Sequence, residues 1–408
     1  MQPSGKLELQ IWMTAAPTVA VMTALSANDG QPRFVGGCVR DALLDREVKD
    51  IDIATPDAPE KVIAKLAAAG LKSVPTGLKH GTITAIADGR PFEVTTLRRD
   101  VETYGRHADV AFTDNWTEDA ARRDLTINSV YCDPDGTLYD PFSGLGDIRS
   151  GHIRFVGEAR ARIEEDVLRI LRFFRFFAHY GQGEIDAEGL AACQDLAHLL
   201  PGLSAERVSA EILRLLVATD PLPTVCLMDE AGVWLQLLPG EININSLQNL
   251  VQIERAEAVA EPLRRIFALD QPDVSEAFEL ARHYRLSNVQ RTRLVAMAIS
   301  APDLVPGMAD QALRRLLYAA GPEAVMDRVF LNEAQFGGEN WSVLRSRVAD
   351  WEPQTLPVQG RDVLALGIAP GPEVGDLIVE LEAWWVENDF RPDRAACLDQ
   401  LQKLISQT

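Results

Sequence analysis

The sequence predicts an α+β protein: a small mixed sheet in an amino-terminal head, followed by an all-α neck, body and tail. Three observations carry this reading. Over the first third of the chain, short runs that alternate apolar and polar residues are interleaved with helix-like runs. From about Glu158 onward the strand signals vanish, and successive helices are punctuated by Pro and Gly. Neither part contains an internal repeat or a low-complexity tract.

Taken in order, Thr18 to Ala27 reads as a helix, and RFVGG as a short strand entering a glycine turn. VRDALLD then starts a helix, and KDIDIAT is a strand with alternating apolar residues. APEKVIAKLAAAGL is amphipathic at helical spacing. TITAIA and FEVTTL are strands separated by the turn-prone DGRP. The expected division is a head over 18–155, a helical neck over 156–216, and a body and tail over 217–408.

At 408 residues, 47% hydrophobic and 25% charged, the chain has the composition of an ordinary globular protein with a large core. No window approaches the ~18 uninterrupted apolar residues of a membrane span, and MQPSGKLELQIW lacks the basic flank and apolar run of a signal peptide. A cytoplasmic protein without a membrane partner is expected. The five cysteines, Cys38, Cys132, Cys193, Cys226 and Cys397, show no CxxC spacing, so neither a zinc site nor a disulfide framework is indicated. The formal charge of −20 argues at face value against a nucleic-acid partner. That sum is global, however. Between Gly151 and Gln182 six arginines (154, 160, 162, 169, 172 and 175) face four acids (158, 164, 165 and 166), a local excess of two positive charges.

The chemistry concentrates in FVGGCVRDALLDREVKDIDIAT, Phe34 to Thr55. Asp50 and Asp52 are two apart on the expected strand, which puts both carboxylates on one face. Paired carboxylates repel unless a cation lies between them, and hard oxygen ligands with positions left open for water and phosphate suit Mg²⁺. Phosphoryl or nucleotidyl transfer is implied. Gly36 and Gly37 lie between strand and helix, where unhindered backbone N–H groups can approach phosphate oxygens. Arg40, one turn on, can reach the same phosphates. A DxD alone is most often a solvated strand edge, and a GG alone a tight turn. The joint pattern is specific because every part serves one triphosphate and its metals.

GGCVRDALLDREVKDIDIAT resembles the signature of the class II tRNA nucleotidyltransferase and bacterial poly(A) polymerase family, within the polymerase-β-like nucleotidyltransferase superfamily. ARRDLTINSVYCDPDGTLYDPFSGLGDI, from Ala121, is similar to that family's RRDFTINA motif and the hairpin after it. RIEEDVLRILRFFRF, from Arg162, is similar to its EDxxRxxR block. The likeness is dense from Phe34 to about Ala178 and weaker through SAERVSAEILRLL, from Ser204.

The resemblance implies a polymerase-β-like head and template-independent addition of C, C and A to the 3′ end of tRNA from CTP and ATP, with Mg²⁺ held by Asp50 and Asp52. Poly(A) polymerase activity, or addition of only CC or only A, stays open as an alternative. Gly36, Gly37, Arg40 and Arg123 are expected at the triphosphate, and Asp124 and Asn128 at a ribose hydroxyl. Asp124 can equally be a helix cap. Glu165, Asp166, Arg169, Arg172 and Arg175 recur at helical spacing. By spacing alone, Asp166 and Arg169 are a salt-bridged helix face. The resemblance gives them another role: an acid and an arginine that read the Watson–Crick edge in place of a nucleic-acid template. Arg172 and Arg175 would then serve the triphosphate or the phosphate contacts of that helix.

Phe173, Phe174, Phe176 and Phe177 are expected in the core rather than under bases. Glu93, on FEVTTL, is either an exposed strand residue or a third metal carboxylate. GLKHGT, from Gly77, resembles the CCA-adding branch, and the stretch from Arg98 to Trp116 is long enough to be the flexible element that full CCA-adding enzymes use. No HD dipeptide includes any of the histidines, so a fused metal phosphohydrolase is not expected. A Gly-rich turn opens a helix in VLALGIAPGPEVGDLIVELEAWW, from Val363, and is either a site for RNA backbone or a simple inter-helix turn. Nothing in the sequence fixes an oligomeric state.

Overall fold

The structure, a computed structural model, describes residues 1–104, 107–238, 240–299 and 304–407, with the side chains of 100–110 left aside. The chain divides into two compact units, Met1–Ile242 and Asn243–Thr408.

In the first unit the strands are β1 (Gly5–Lys6), β2 (Arg33–Val35), β3 (Asp52–Thr55), β4 (Lys72–Gly77), β5 (Thr82–Ala87), β6 (Arg90–Thr96), β7 (Arg98–Tyr104), β8 (His107–Phe112), β9 (Tyr131–Cys132) and β10 (Thr137–Tyr139). Eight of them form one sheet in the order β1-β10-β9-β2-β3-β6-β5-β4. Only β3 and β6 run parallel, in register from Asp52 opposite Glu93 to Thr55 opposite Thr96. The sheet is therefore mixed, as expected. It also takes in Gly5–Lys6, upstream of position 18, through pairing with β10.

Three features depart from the sequence reading. KDIDIAT becomes a strand only from Asp52, because β2 ends at Val35 and Gly36 turns away, leaving Asp50 without a neighbour on that side. Asp50 therefore stands in the bend before β3 rather than on it. KSVPTG, with no strand expected, forms β4; Pro75 is tolerated because β4 is the edge of the sheet and carries an irregularity between Val74 and Gly77. The stretch after Arg98, expected as a loop, is a hairpin of β7 and β8, while its tip at 105–106 lies outside the described residues.

One face of the sheet, with Val35, Ala54 and Leu97, packs on Trp116 and Ala120 of the helix Trp116–Ala121 and on Tyr131. The other face includes Phe34, Ile53 and Val94, all fully buried. Helices Ala16–Ser26 and Pro59–Ala68 are joined there by the buried Lys65, whose ammonium donates to the Leu25 carbonyl and to Asp57. Beyond Glu158 the elements of the described residues are all helices, the first α-helices being Ala159–Glu165, Arg169–Tyr180, Ala187–Leu196 and Ala205–Leu216. Phe173, Phe174, Phe176 and Phe177 are each at most 9% exposed, so the phenylalanines are core.

The second unit is helical throughout its described residues, from Ile244–Ala256 to Arg394–Gln407. One apolar cluster centres on Leu317, Val329 and Leu344, and another on Val363, Leu381 and Leu401. Gly371 caps the helix Pro372–Glu387, the Gly-rich turn noted above.

Candidate active site

The site is built at the end of β2, where Gly36 adopts φ +71° and ψ −124°, a conformation that side chains with a Cβ reach only with strain. A Cβ on Gly36 would stand 3.7 Å from Arg123 Nη1, and one on Gly37 3.7 Å from Arg40 Nη2, so both arginines line the glycine turn. Replacing Gly36 by alanine is expected to cost ~1–3 kcal/mol of stability through backbone strain. It should also weaken triphosphate binding, which a thermal melt with and without CTP would detect as a lower midpoint and a smaller ligand shift.

The carboxylates stand beside this turn. β3 places Asp52 directly across from Glu93 on β6, and paired residues of neighbouring strands share a face. Asp52 is pushed up to about 6 by burial, then by the charge of Glu93 and, more weakly, of Asp50, against the pull of Arg123 and Arg40. Asp50 and Glu93 are both exposed. Among the described residues no group of three or more His, Cys, Asp or Glu side chains is disposed as a metal cage. A carboxylate whose charge is disfavoured by burial and by the acids beside it fits a hard cation that takes its remaining ligands from phosphate and water, which is the habit of Mg²⁺.

Arg40, only 6% exposed, donates from Nη1 to Asn128 Oδ1 at 2.6 Å and from Nη2 to the Tyr180 hydroxyl at 2.7 Å. Asn128 Nδ2 donates onward to Asp124 Oδ1 at 3.1 Å, which also accepts from the Leu125 N–H, and Asp124 Oδ2 accepts from Arg172 Nε at 2.6 Å. Arg175 Nε donates to Glu211 Oε2 at 2.6 Å. The Phe176 ring lies 5.1 Å, 5.4 Å and 4.1 Å from the guanidinium carbons of Arg40, Arg172 and Arg175. Burial alone would raise the Asp124 carboxyl, yet the Arg172 charge and the bonds from Asn128 and Leu125 hold it well below the usual carboxylate range.

Arg123 is fixed from behind. Its Nη2 donates to Asp119 Oδ2 at 3.1 Å, and Asp119 also accepts from Arg122 Nη2 at 2.7 Å and the Tyr131 hydroxyl at 2.7 Å. Burial opposes the charge on Asp119, but Arg123 and Arg122 beside it more than compensate and hold its carboxyl far down.

The acid-and-arginine block differs from its sequence reading. Asp166 and Arg169 do not share one helix: the first helix ends at Glu165, and Asp166 is extended at φ −150° and ψ 103°. The cause is local. Asp166 Oδ1 accepts from the Leu168 N–H at 3.2 Å and its carbonyl from the Arg169 N–H at 2.9 Å, so the aspartate turns the chain ahead of the second helix instead of continuing the first. Arg169 pairs with Glu165 at 2.6 Å, not with Asp166, and donates to the carbonyls of Arg162 at 2.9 Å and Arg122 at 2.8 Å. Asp166 Oδ2 instead accepts from Arg207 Nη2 at 2.7 Å.

Sequence reasoning missed Asp119, Tyr180, Arg207 and Glu211. Signals existed for two of them. Asp119 stands three and four residues before Arg122 and Arg123, the spacing of helical ion pairs. Glu211 occupies the apolar stripe of Val208, Ile212 and Leu215, where an unpaired acid would be costly.

Residues 32–154 match the family described as Poly A polymerase head domain, and 184–242 match the probable RNA and SrmB- binding site of polymerase A. The chain is 33% identical over 399 residues to the mitochondrial CCA tRNA nucleotidyltransferase 1 of Danio rerio, covering 96% of this chain and 90% of that protein. The chain belongs to the tRNA nucleotidyltransferase and poly(A) polymerase family. This nucleotidyltransferase is also 31% identical over 366 residues to the CCA-adding enzyme of Levilactobacillus brevis, covering 86% of the chain and 88% of that enzyme. Its fold superposes on the CCA-adding enzyme of Bacillus stearothermophilus, solved with CTP, with a TM-score of 0.75 and 28% identity over 96% of this chain and 97% of that one. Among the described residues of this nucleotidyltransferase, no helix is long and apolar enough to cross a membrane.

Proposed function

We propose that the chain adds C, C and A in turn to the 3′ end of tRNA, taking CTP and ATP and releasing pyrophosphate, with Mg²⁺ as cofactor. The observation that carries this reading is the convergence of Gly36, Gly37, Arg40 and Arg123 on the carboxylates at the head of β3, in a chain similar along nearly its whole length to proteins named for CCA addition. Asp50 and Asp52 would hold the metal, with Glu93 beside them. Bound Mg²⁺ supplies charge stabilisation for the attacking and leaving oxygens. The turn N–H groups and the two arginines bind the triphosphate and hold its α-phosphorus in line with the tRNA 3′-hydroxyl. That hydroxyl gives up its proton to water, and its oxygen bonds to the phosphorus as the bond to pyrophosphate breaks.

Asn128 accepts from Arg40 and donates to Asp124, and Asp124 accepts in turn from Arg172. In this proposal they position those arginines rather than touch a ribose. Asp166 and Arg169 select the base. Asp166 accepts from the exocyclic amine that C and A share, and Arg169, with three N–H groups engaged, keeps Nε–H and one Nη2 hydrogen for the cytosine O2 and N3 or the adenine N1. The head over 18–155 performs the chemistry, the neck over 156–216 reads the nucleotide, and the body and tail over 217–408 bind tRNA. The cytoplasm is the proposed compartment, tested by cell fractionation.

The test uses tRNA transcripts ending before CCA, after C and after CC, with single and mixed NTPs and sequencing of the products. Completion of CCA and then arrest is expected. Long A tails made from ATP alone would establish the poly(A) polymerase alternative, and arrest after CC, or addition of A only, a partial enzyme.

A further inference from the structure

The carboxylate of Asp166 has little to hold it. Its backbone is extended between two helices, and locally, among the described residues, its Oδ1 accepts from the Leu168 N–H at 3.2 Å. A bond of that length restricts a carboxylate only weakly. The strong restraint is distant in sequence: Arg207 Nη2 donates to Oδ2 at 2.7 Å, a charge-assisted bond.

Arg207 is itself set by the helix Ala205–Leu216. One turn further along that helix, Glu211 is 4% exposed and accepts from Arg175 at 2.6 Å, with Arg172 4.0 Å from its other oxygen. One helix face therefore offers a cation to Asp166 and an anion to Arg175 and Arg172. The two contacts have opposite polarity, so a slip of the helix along its neighbour would break both. The position of Arg207 is in this way tied to the helix that begins with Arg169.

We infer that Arg207 is a positioning residue for base selection: it fixes the plane of the Asp166 carboxylate without occupying the acceptor sites that a nucleobase needs. Each carboxylate oxygen has two lone-pair sites, and each has one protein donor here, so one site per oxygen stays open for an exocyclic amine. At the same position uracil and guanine present a carbonyl oxygen, which a fixed carboxylate oxygen repels. A carboxylate that can rotate repels less. Removing Arg207 should therefore admit wrong bases, whereas a merely structural ion pair would lower the melting temperature and leave preference unchanged.

This inference rests on the reading of Asp166 and Arg169 as the base-selecting pair, and the experiment separates the two. In the full-length chain, Arg207→Ala, Arg207→Lys and Asp166→Ala are compared with wild type. The readouts are kcat/KM for CTP and UTP on a tRNA transcript ending before CCA, for ATP and GTP on one ending in CC, and a thermal melt. Arg207→Ala should reduce the CTP-to-UTP and ATP-to-GTP ratios by about tenfold or more, the order expected when a reading group is displaced by a fraction of its length. Arg207→Lys should recover part of the loss, since it restores the charge but not the planar fork. Unchanged ratios in Arg207→Ala, with relaxed ratios in Asp166→Ala, would overturn the role of Arg207 alone. Unchanged ratios in Asp166→Ala would remove the base-selecting pair and this inference with it. Should Arg207→Ala not fold, Arg207→Met, which keeps the aliphatic stem, carries the same comparison.

Discussion

Asp52→Asn is expected to lower nucleotide incorporation by roughly 10³-fold or more while leaving the protein folded and, in metal-free buffer, no less stable than wild type. The loss of rate follows from the metal's share of transition-state charge stabilisation, several kcal/mol, which depends on both aspartates. The unchanged or raised stability follows from the electrostatics. Burial, Glu93 and Asp50 all work against the charge on Asp52 and push its carboxyl up to about 6. A neutral amide of the same shape removes that repulsion, so activity and stability should move in opposite directions. Asp50→Ala should show the same loss of rate with a smaller effect on the melt, because Asp50 is exposed in the bend before β3. The checks are single-turnover addition to a tRNA transcript and a thermal melt in EDTA. Near-normal turnover by either folded variant would refute the metal assignment.

Asp119→Ala is expected to be the most destabilising change near the site, at about 3–5 kcal/mol, because it removes the acid from a buried ion cluster and leaves its cations behind. Asp119 is 1% exposed and holds Arg122, Arg123 and the Tyr131 hydroxyl at once. The pH dependence has a definite sign. The folded-state carboxyl lies below its ordinary value, so its contribution is complete above the unfolded pKa of ~3.9 and is lost as pH falls toward the lower folded value. Asp124, also held down, adds to the same limb. Wild type should therefore lose stability steeply below about pH 4. Asp119→Asn should be less stable at neutral pH with a shallower acid limb. Urea denaturation between neutral pH and pH 3 measures both. An Asp119→Asn variant with the wild-type acid slope would show that this carboxylate is not the titrating group.

The class of chemistry and the α+β character of the fold were legible in the sequence. Local patterns suffice for that: alternation marks β5 and β6, apolar spacing marks the helix Pro59–Ala68, and the glycine pair, Arg40 and the DxD lie within one short segment. Residues that act together and are also close in sequence leave a readable signal. The short strands β1, β9 and β10 and the edge strand β4 left a weaker one, because a two- or three-residue strand has no periodicity of its own and is fixed by its partners.

How residues distant in the chain pair was legible only in the folded protein. Helical spacing put Asp166 and Arg169 on one face, but the backbone is extended at Asp166, so one helix ends at Glu165 and the next begins at Arg169. With the helix broken, Arg169 turns to Glu165 and to backbone carbonyls, and Asp166 to Arg207, 41 residues away. Likewise Arg40 finds Asn128 and Tyr180, 88 and 140 residues distant. A charged side chain removed from water must find a partner wherever the fold brings one within about 3 Å, and sequence separation does not enter that requirement. The motif residues announce the reaction, while the groups that hold them in place are set by the packing of the helices after Glu158 within the first unit.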